Sequence, residues 1–177
     1  MSEQIYVLRI GHRIERDKRV TTHVGLVARA LGAKGIFFVN TEKEIKEKID
    51  EVTNFWGGPF KTEIIEENWL KFIIDWKKEN GIVIHLTMYG LPINNIIEEI
   101  RKKEEKKLVV VGAEKVPREL YEISDYNVSI TSQPHSEIAA LAIFLDQFYM
   151  GKEISLKFSG AKVNIIPTKR GKKIIES

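Results

Sequence analysis

Apolar positions fall into short β-branched runs separated by longer segments in which they recur every three or four residues. The runs are IYVLRI at 5–10, GIFFV at 35–39, 62–65, GIVIHL at 81–86, LVVVG at 108–112 and YNVSI at 126–130. Between them, segments 19–31, 42–55, 69–78, the stretch opening at Pro92, and 136–149 carry the spacing of a helix with one buried face. This alternation predicts an α/β fold, an open parallel sheet with helices on both faces. A run such as LVVVG, apolar without alternation, suits a strand covered on both sides. In the first helix, Val20, Val24, Val27 and Leu31 lie four, three and four residues apart and share a face. Asp17 is its expected N-cap and Gly32 closes its end. Gly151 marks the end of a main domain at 1–150. The extension 151–177 is expected to form a small strand pair from ISLKF and KVNIIP, turning near Gly160, before the polar end TKRGKKIIES.

Composition narrows the class. With 177 residues, 43% hydrophobic and 30% charged, the chain is expected to bury one core. No run approaches the roughly 18 apolar residues of a membrane span. The start MSEQIYVLRIGHRIERDKR carries charges where a signal peptide is apolar, so a cytoplasmic location without a membrane partner is expected. Cysteine is absent, which excludes disulfides, thiolate metal sites and cysteine nucleophiles. The histidines, at 12, 23, 85 and 135, lack helical metal-ligand spacing, and no metal is expected. Abundant Lys, Glu and Ile beside only three Gln is the bias of hyperthermophile proteins.

The net charge of +3 is unevenly placed. Residues 151–177 hold 7 Lys/Arg against 2 Asp/Glu, a basic arm. A second cluster, Arg9, His12, Arg13, Arg16, Lys18 and Arg19, follows the first strand, where polyphosphate could dock. Both clusters also read as solvated faces that keep the chain soluble.

In open α/β sheets ligands bind beyond the carboxyl ends of the strands, which selects 85–92, 112–117 and 130–137. Gly90 and Gly112 would let backbone approach a flat ligand there. The sequence contains no G-x-G-x-x-G, G-x-x-x-x-G-K-[ST], H-E-x-x-H or G-x-S-x-G, which weakens classical dinucleotide, P-loop, zincin and serine-hydrolase readings.

Three segments in order, LRIGHRIERDKRVTTHVGLVARALGAKGIFF, LVVVGAEKVPRELYEISDYNVSI and TSQPHSEIAALAIFLDQF, resemble the archaeal tRNA (cytidine-56-2'-O)-methyltransferase family of the SPOUT class. The resemblance implies a homodimer whose C-terminal part forms a deep trefoil knot. It implies S-adenosylmethionine as cofactor and tRNA as partner, with methylation of the ribose of cytidine-56. Carried onto this chain, the cofactor site is Leu86, the run Gly112, Ala113, Glu114, Lys115 and Val116, and the run Ile130, Thr131, Ser132, Gln133, Pro134, His135, Ser136 and Glu137. The class's first motif usually carries an Asn and a downstream Arg, where this chain has RDKRVTTHVGLVARALG. Arg19 is the expected catalytic arginine in preference to Arg29, and His23, one helical turn on, is the expected aid to proton removal. Two other readings remain open at this point: a related knot-fold enzyme methylating an RNA base, and a non-catalytic RNA-binding module.

Overall fold

The computed structural model describes residues 4–113 and 115–176. Six strands, β1 (Ile5–Ile10), β2 (Gly35–Val39), β3 (Lys61–Ile65), β4 (Ile82–Pro92), β5 (Lys107–Gly112) and β6 (Tyr126–Ser129), form one sheet in the order β3-β2-β1-β5-β4-β6. Every pairing in it is parallel. Helices α1 (Lys18–Ala30), α2 (Lys43–Trp56), α3 (Trp69–Lys78), α4 (Ile93–Lys102), α5 (Arg118–Ile123) and α6 (Glu137–Tyr149) connect and follow the strands.

Side-chain alternation along the strands divides the core in two. Ile5 and Val7 of β1 and Val109 and Val111 of β5 pack with α1, α2, α4 and α6. Leu8 and Ile10, with Leu108 and Val110, point to the other face, where Ile73 and Trp76 of α3 and Leu120 of α5 cover them. Each fully buried Val, Leu or Ile contributes about 1.5–3 kcal/mol. These strands therefore read as unbroken apolar runs.

The predicted α/β architecture holds, with differences in detail. The buried side of α1 is Thr21, Val24, Gly25 and Ala28, while Val20, Val27 and Leu31 are half-buried. The helix is rotated toward its smallest residues because Gly25 sits against Ile49 of α2 and Phe38, where a Cβ would collide with Ile49. Asp17 precedes α1 but caps nothing with its side chain. Its carboxylate is engaged by Arg13 instead. Gly32 ends the helix as predicted, at φ +87°, with Ala33 N–H donating to Ala28 O at 3.0 Å. The short helix α5 carries too few apolar positions for periodicity to reveal it.

β4 runs past the expected Leu86. Leu86 and Leu91 both pair with Val128, so residues 87–90 bulge out of the ladder before Pro92 pairs with Ser129. Gly90 serves this crossing and not a ligand: a Cβ there would lie 2.5 Å from the backbone of Asn127 and Val128.

The C-terminal strand pair has different members from those expected. Segment 152–155 is a 3-10 turn, and β7 (Val163–Ile165) pairs antiparallel with β8 (Ile174–Glu176), drawn from the end read as merely polar. The turn between them contains Gly171 at φ +91° and displays Lys169, Arg170, Lys172 and Lys173 as exposed residues. Before the pair, the extension lies on the end of α2. Gly58 N–H donates to Ser159 O at 2.8 Å and Lys162 N–H to Phe55 O at 2.9 Å.

Candidate active site

The carboxyl ends of β4, β5 and β6 open into a cleft of about 540 Å³, within the 300–1,000 Å³ usual for small-molecule sites. β5 supplies Val111 and Gly112, the bulge of β4 supplies Thr87, Met88 and Tyr89, and the start of α6 supplies Glu137 and Ala140. Of the residues expected to hold a cofactor, Leu86, Gly112, Ala113, Lys115, Val116, Ile130, Gln133, Pro134, His135 and Glu137 line it. Thr131, Ser132 and Ser136 do not. Thr131 Oγ1 accepts from Gln133 N–H at 3.3 Å, which shapes the loop. Ser136 is the N-cap of α6, accepting from Ile138 N–H at 3.1 Å. Glu114 lies outside the described residues.

Of the other walls, the sequence selects segment 85–92 without giving His85, Thr87 or Tyr89 a role, and passes over Tyr121. His85, Thr87, Tyr89 and Tyr121 all line the cleft, and Thr87 Oγ1 lies 3.1 Å from Tyr121 Oη. Their signal was position alone, on the segment after a buried strand. Tyr121 gave none, since its helix was not foreseen.

Beneath Glu137 lies Arg9, with no exposure at all. Its Nη2 donates to Glu137 Oε1 at 2.9 Å, while Nε and Nη1 have no partner among the described residues. Burial lowers the Arg9 pKa and Glu137 opposes that shift. The pair fixes the first residue of α6 at the cleft, where the helix's N-terminal dipole also favours a carboxylate.

The basic cluster after β1 is less open than its sequence suggests. Arg9 points into the core, and His12 is buried in a clasp, its Nδ1 2.8 Å from Thr21 Oγ1 and Nε2 2.5 Å from Glu42 Oε2. Glu42 Oε1 also takes the Glu15 N–H at 3.0 Å, tying the β1–α1 loop to the start of α2. Arg13 grips Asp17 with two guanidinium contacts of 2.9 and 2.8 Å and a backbone N–H at 3.0 Å. The Arg13 side-chain bond, outweighing burial, holds the Asp17 carboxyl well below the usual range. Arg16, Arg19 and His23 remain exposed. Arg19 and His23, four residues apart on α1, share a helix face, but neither lines the cleft of this chain. Arg29, the alternative arginine, is buried at the other end of α1, donating to Gly57 O at 2.5 Å beneath the Phe158 ring.

Among the described residues no group of three or more His, Asp or Glu side chains is arranged to hold a metal, and no helix is long and apolar enough to cross a membrane.

This arrangement is that of the SpoU/TrmH methyltransferase fold. It matches the crystal structure of the SpoU methyltransferase AviRb from Streptomyces viridochromogenes in complex with AdoMet with a TM-score of 0.59, at 13% identity, covering 87% of this chain and 59% of that one. The A. aeolicus TrmH/SpoU tRNA modifying enzyme matches at TM-score 0.58, 13% identity, and 87% and 77% coverage. The chain belongs to the tRNA ribose 2'-O-methyltransferase family, aTrm56, whose model matches residues 56–175. Similar relatives named tRNA (cytidine(56)-2'-O)-methyltransferase occur in Hyperthermus butylicus, 52% identical over 98% of this chain and 92% of the relative. Another is found in Methanocaldococcus jannaschii, 52% identical over 97% and 96%.

Proposed function

We propose that this chain transfers the methyl group of S-adenosylmethionine to the ribose 2'-oxygen of cytidine-56 in tRNA. The observation that carries the reading is 52% identity, over 98% of the chain, to a protein bearing that name. The cleft suits the cofactor on its own chemistry. Leu86, Val111, Val116, Val128 and Ile130 offer apolar walls to a flat base, and the Glu137 carboxylate suits a cationic ligand. The binding residues in this reading are Leu86, Gly112 to Val116 and Ile130 to Glu137, with the deep knot of the class threading these loops.

When bound, S-adenosylmethionine supplies an electrophilic methyl group on a sulfonium that leaves readily. The protein must then align a ribose hydroxyl with that carbon and ease loss of its proton. Arg19 holds the developing oxyanion or the adjacent phosphate, and His23 on the same face assists proton removal. Because both stand outside the cleft of their own chain, the reading includes a homodimer in which each subunit's α1 completes its partner's site. Exposed Leu91, Ile143, Met150 and Ile154 supply apolar surface for that contact. The basic turn between β7 and β8 attracts tRNA phosphates. The reaction belongs in the cytoplasm, with the tRNA.

The test is methyl transfer from labelled cofactor to two tRNA transcripts, one of them carrying 2'-deoxycytidine at position 56. Label should enter only the ribo form. Equal labelling of both would overturn the assignment in favour of base methylation or another nucleotide, and the absence of cofactor binding would favour a non-catalytic module.

A further inference from the structure

β4 and β6 are in register at His85 and Asn127. Ile84 and Leu86 face one core, so alternation turns His85 to the opposite face. There Tyr121 of α5 meets its ring edge-on, with centroids 4.8 Å apart. Asn127 fixes the proton of that ring. Its Nδ2 donates to the Tyr121 carbonyl at 2.9 Å, and because a carbonyl oxygen only accepts, the amide has one orientation. The atom 2.9 Å from His85 Nδ1 is therefore Oδ1, which also only accepts, so Nδ1 carries the hydrogen. Burial lowers the basicity of the ring, opposed by the bond to Asn127, and the imidazole is neutral. Nε2 then bears a lone pair.

His85 is 1% exposed and lines the cleft, and its Nε2 has no partner among the described residues. Nε2 is thus an acceptor that a donor entering the cleft can reach. On the His85 side the cleft is walled by Val116 and Tyr121, and across the sheet by Leu86, Val111, Val128 and Ala140; these walls favour a neutral flat ring over an ammonium group or a hydroxylated sugar.

We propose that His85 Nε2 accepts a hydrogen bond from the exocyclic amine of the cofactor's adenine, making His85 a specificity-determining residue that selects an aminopurine. Asn127 is the positioning residue that holds it in the accepting tautomer. The inference rests on the reading that the cleft takes S-adenosylmethionine.

The experiment is calorimetric titration with S-adenosylhomocysteine and with its analogue lacking the 6-amino group. The wild-type protein should bind the analogue about tenfold more weakly, the scale of one net hydrogen bond. His85→Phe, which can no longer accept, should bind the two ligands within about twofold of each other. His85→Gln, whose amide oxygen accepts, should keep part of the preference. A wild-type ratio near one, or an unchanged ratio in His85→Phe, overturns the proposal. So does loss of affinity confined to 3'-deoxyribose analogues, which would assign Nε2 to the sugar. Nitrogen NMR of the wild-type protein needs no substitution: the His85 Nε2 resonance should move with S-adenosylhomocysteine and far less with the analogue, and equal movement contradicts the assignment. Absence of S-adenosylhomocysteine binding sinks the cofactor reading as well, whereas binding without discrimination sinks only the role of His85.

Discussion

Replacing Glu137 by Gln removes the charged partner of an arginine that has no exposure. Arg9 is 0% exposed and the Glu137 side chain 25%, with their polar atoms 2.9 Å apart. Removing one partner from a fully buried pair costs about 3–5 kcal/mol, because the remaining charge stays desolvated. Here the amide oxygen of Gln still accepts one bond and the lost carboxylate was partly solvated, so the expected loss is about 2–3 kcal/mol. For a chain of this size each kcal/mol moves Tm by about 2–4 °C, giving a fall of about 4–12 °C without ligand. Denaturant unfolding at fixed pH is the assay, with the slope checked for constancy. The double variant Arg9→Met with Glu137→Gln should recover most of the loss, since neither an orphaned charge nor the Arg9 Nε and Nη1 donors, unpaired among the described residues, then remain. A loss below about 0.5 kcal/mol in the single variant, or no recovery in the double, would refute the reasoning.

Other outcomes follow from the same geometry. Arg19→Ala should lower kcat by about 10²-fold or more while leaving cofactor affinity unchanged, and full kcat under saturating tRNA would remove Arg19 from the chemistry. Neutralising Lys169, Arg170, Lys172 and Lys173 in the exposed turn should weaken tRNA binding and flatten its dependence on salt with little change in kcat, as measured by filter binding across a salt series. Asp17, whose folded pKa is depressed by Arg13, contributes stability that is present above its unfolded value near about pH 4 and is lost as pH falls toward the folded value. Asp17→Asn should therefore be less stable than wild type at pH 7, the gap closing in acid. A gap that stays constant from neutral to about pH 2 would contradict the Arg13 bond.

The strands were legible because a sheet covered on both faces needs uninterrupted apolar runs, and LVVVG and GIFFV can satisfy little else. The loops that line the cleft were legible for a related reason, since the carboxyl ends of such strands are where an α/β sheet opens. What failed had physical causes that periodicity does not carry. The burial of α1 is decided by the close approach of Gly25 to Ile49, which shifts the seam away from the larger valines. Arg9 reads as one member of a basic surface cluster, yet it falls on the inward phase of β1 with Val7 and is sealed beneath α6. The continuation of β4 across 87–90 depends on a ladder partner in β6, about forty residues away, and no local pattern announces it. The C-terminal strand pair was mis-assigned because a three-residue exposed strand has hardly any alternation to read. Resemblance to a family, and not spacing, supplied the cofactor and the substrate.

The central claim is most directly tested by incubating the protein with S-adenosylmethionine and an unmodified tRNA transcript, then digesting the product and mapping methylated nucleosides by mass spectrometry. The account predicts a single new 2'-O-methylcytidine at position 56. A methyl group on a base, on a different ribose, or on no nucleotide while the protein binds both ligands would contradict it.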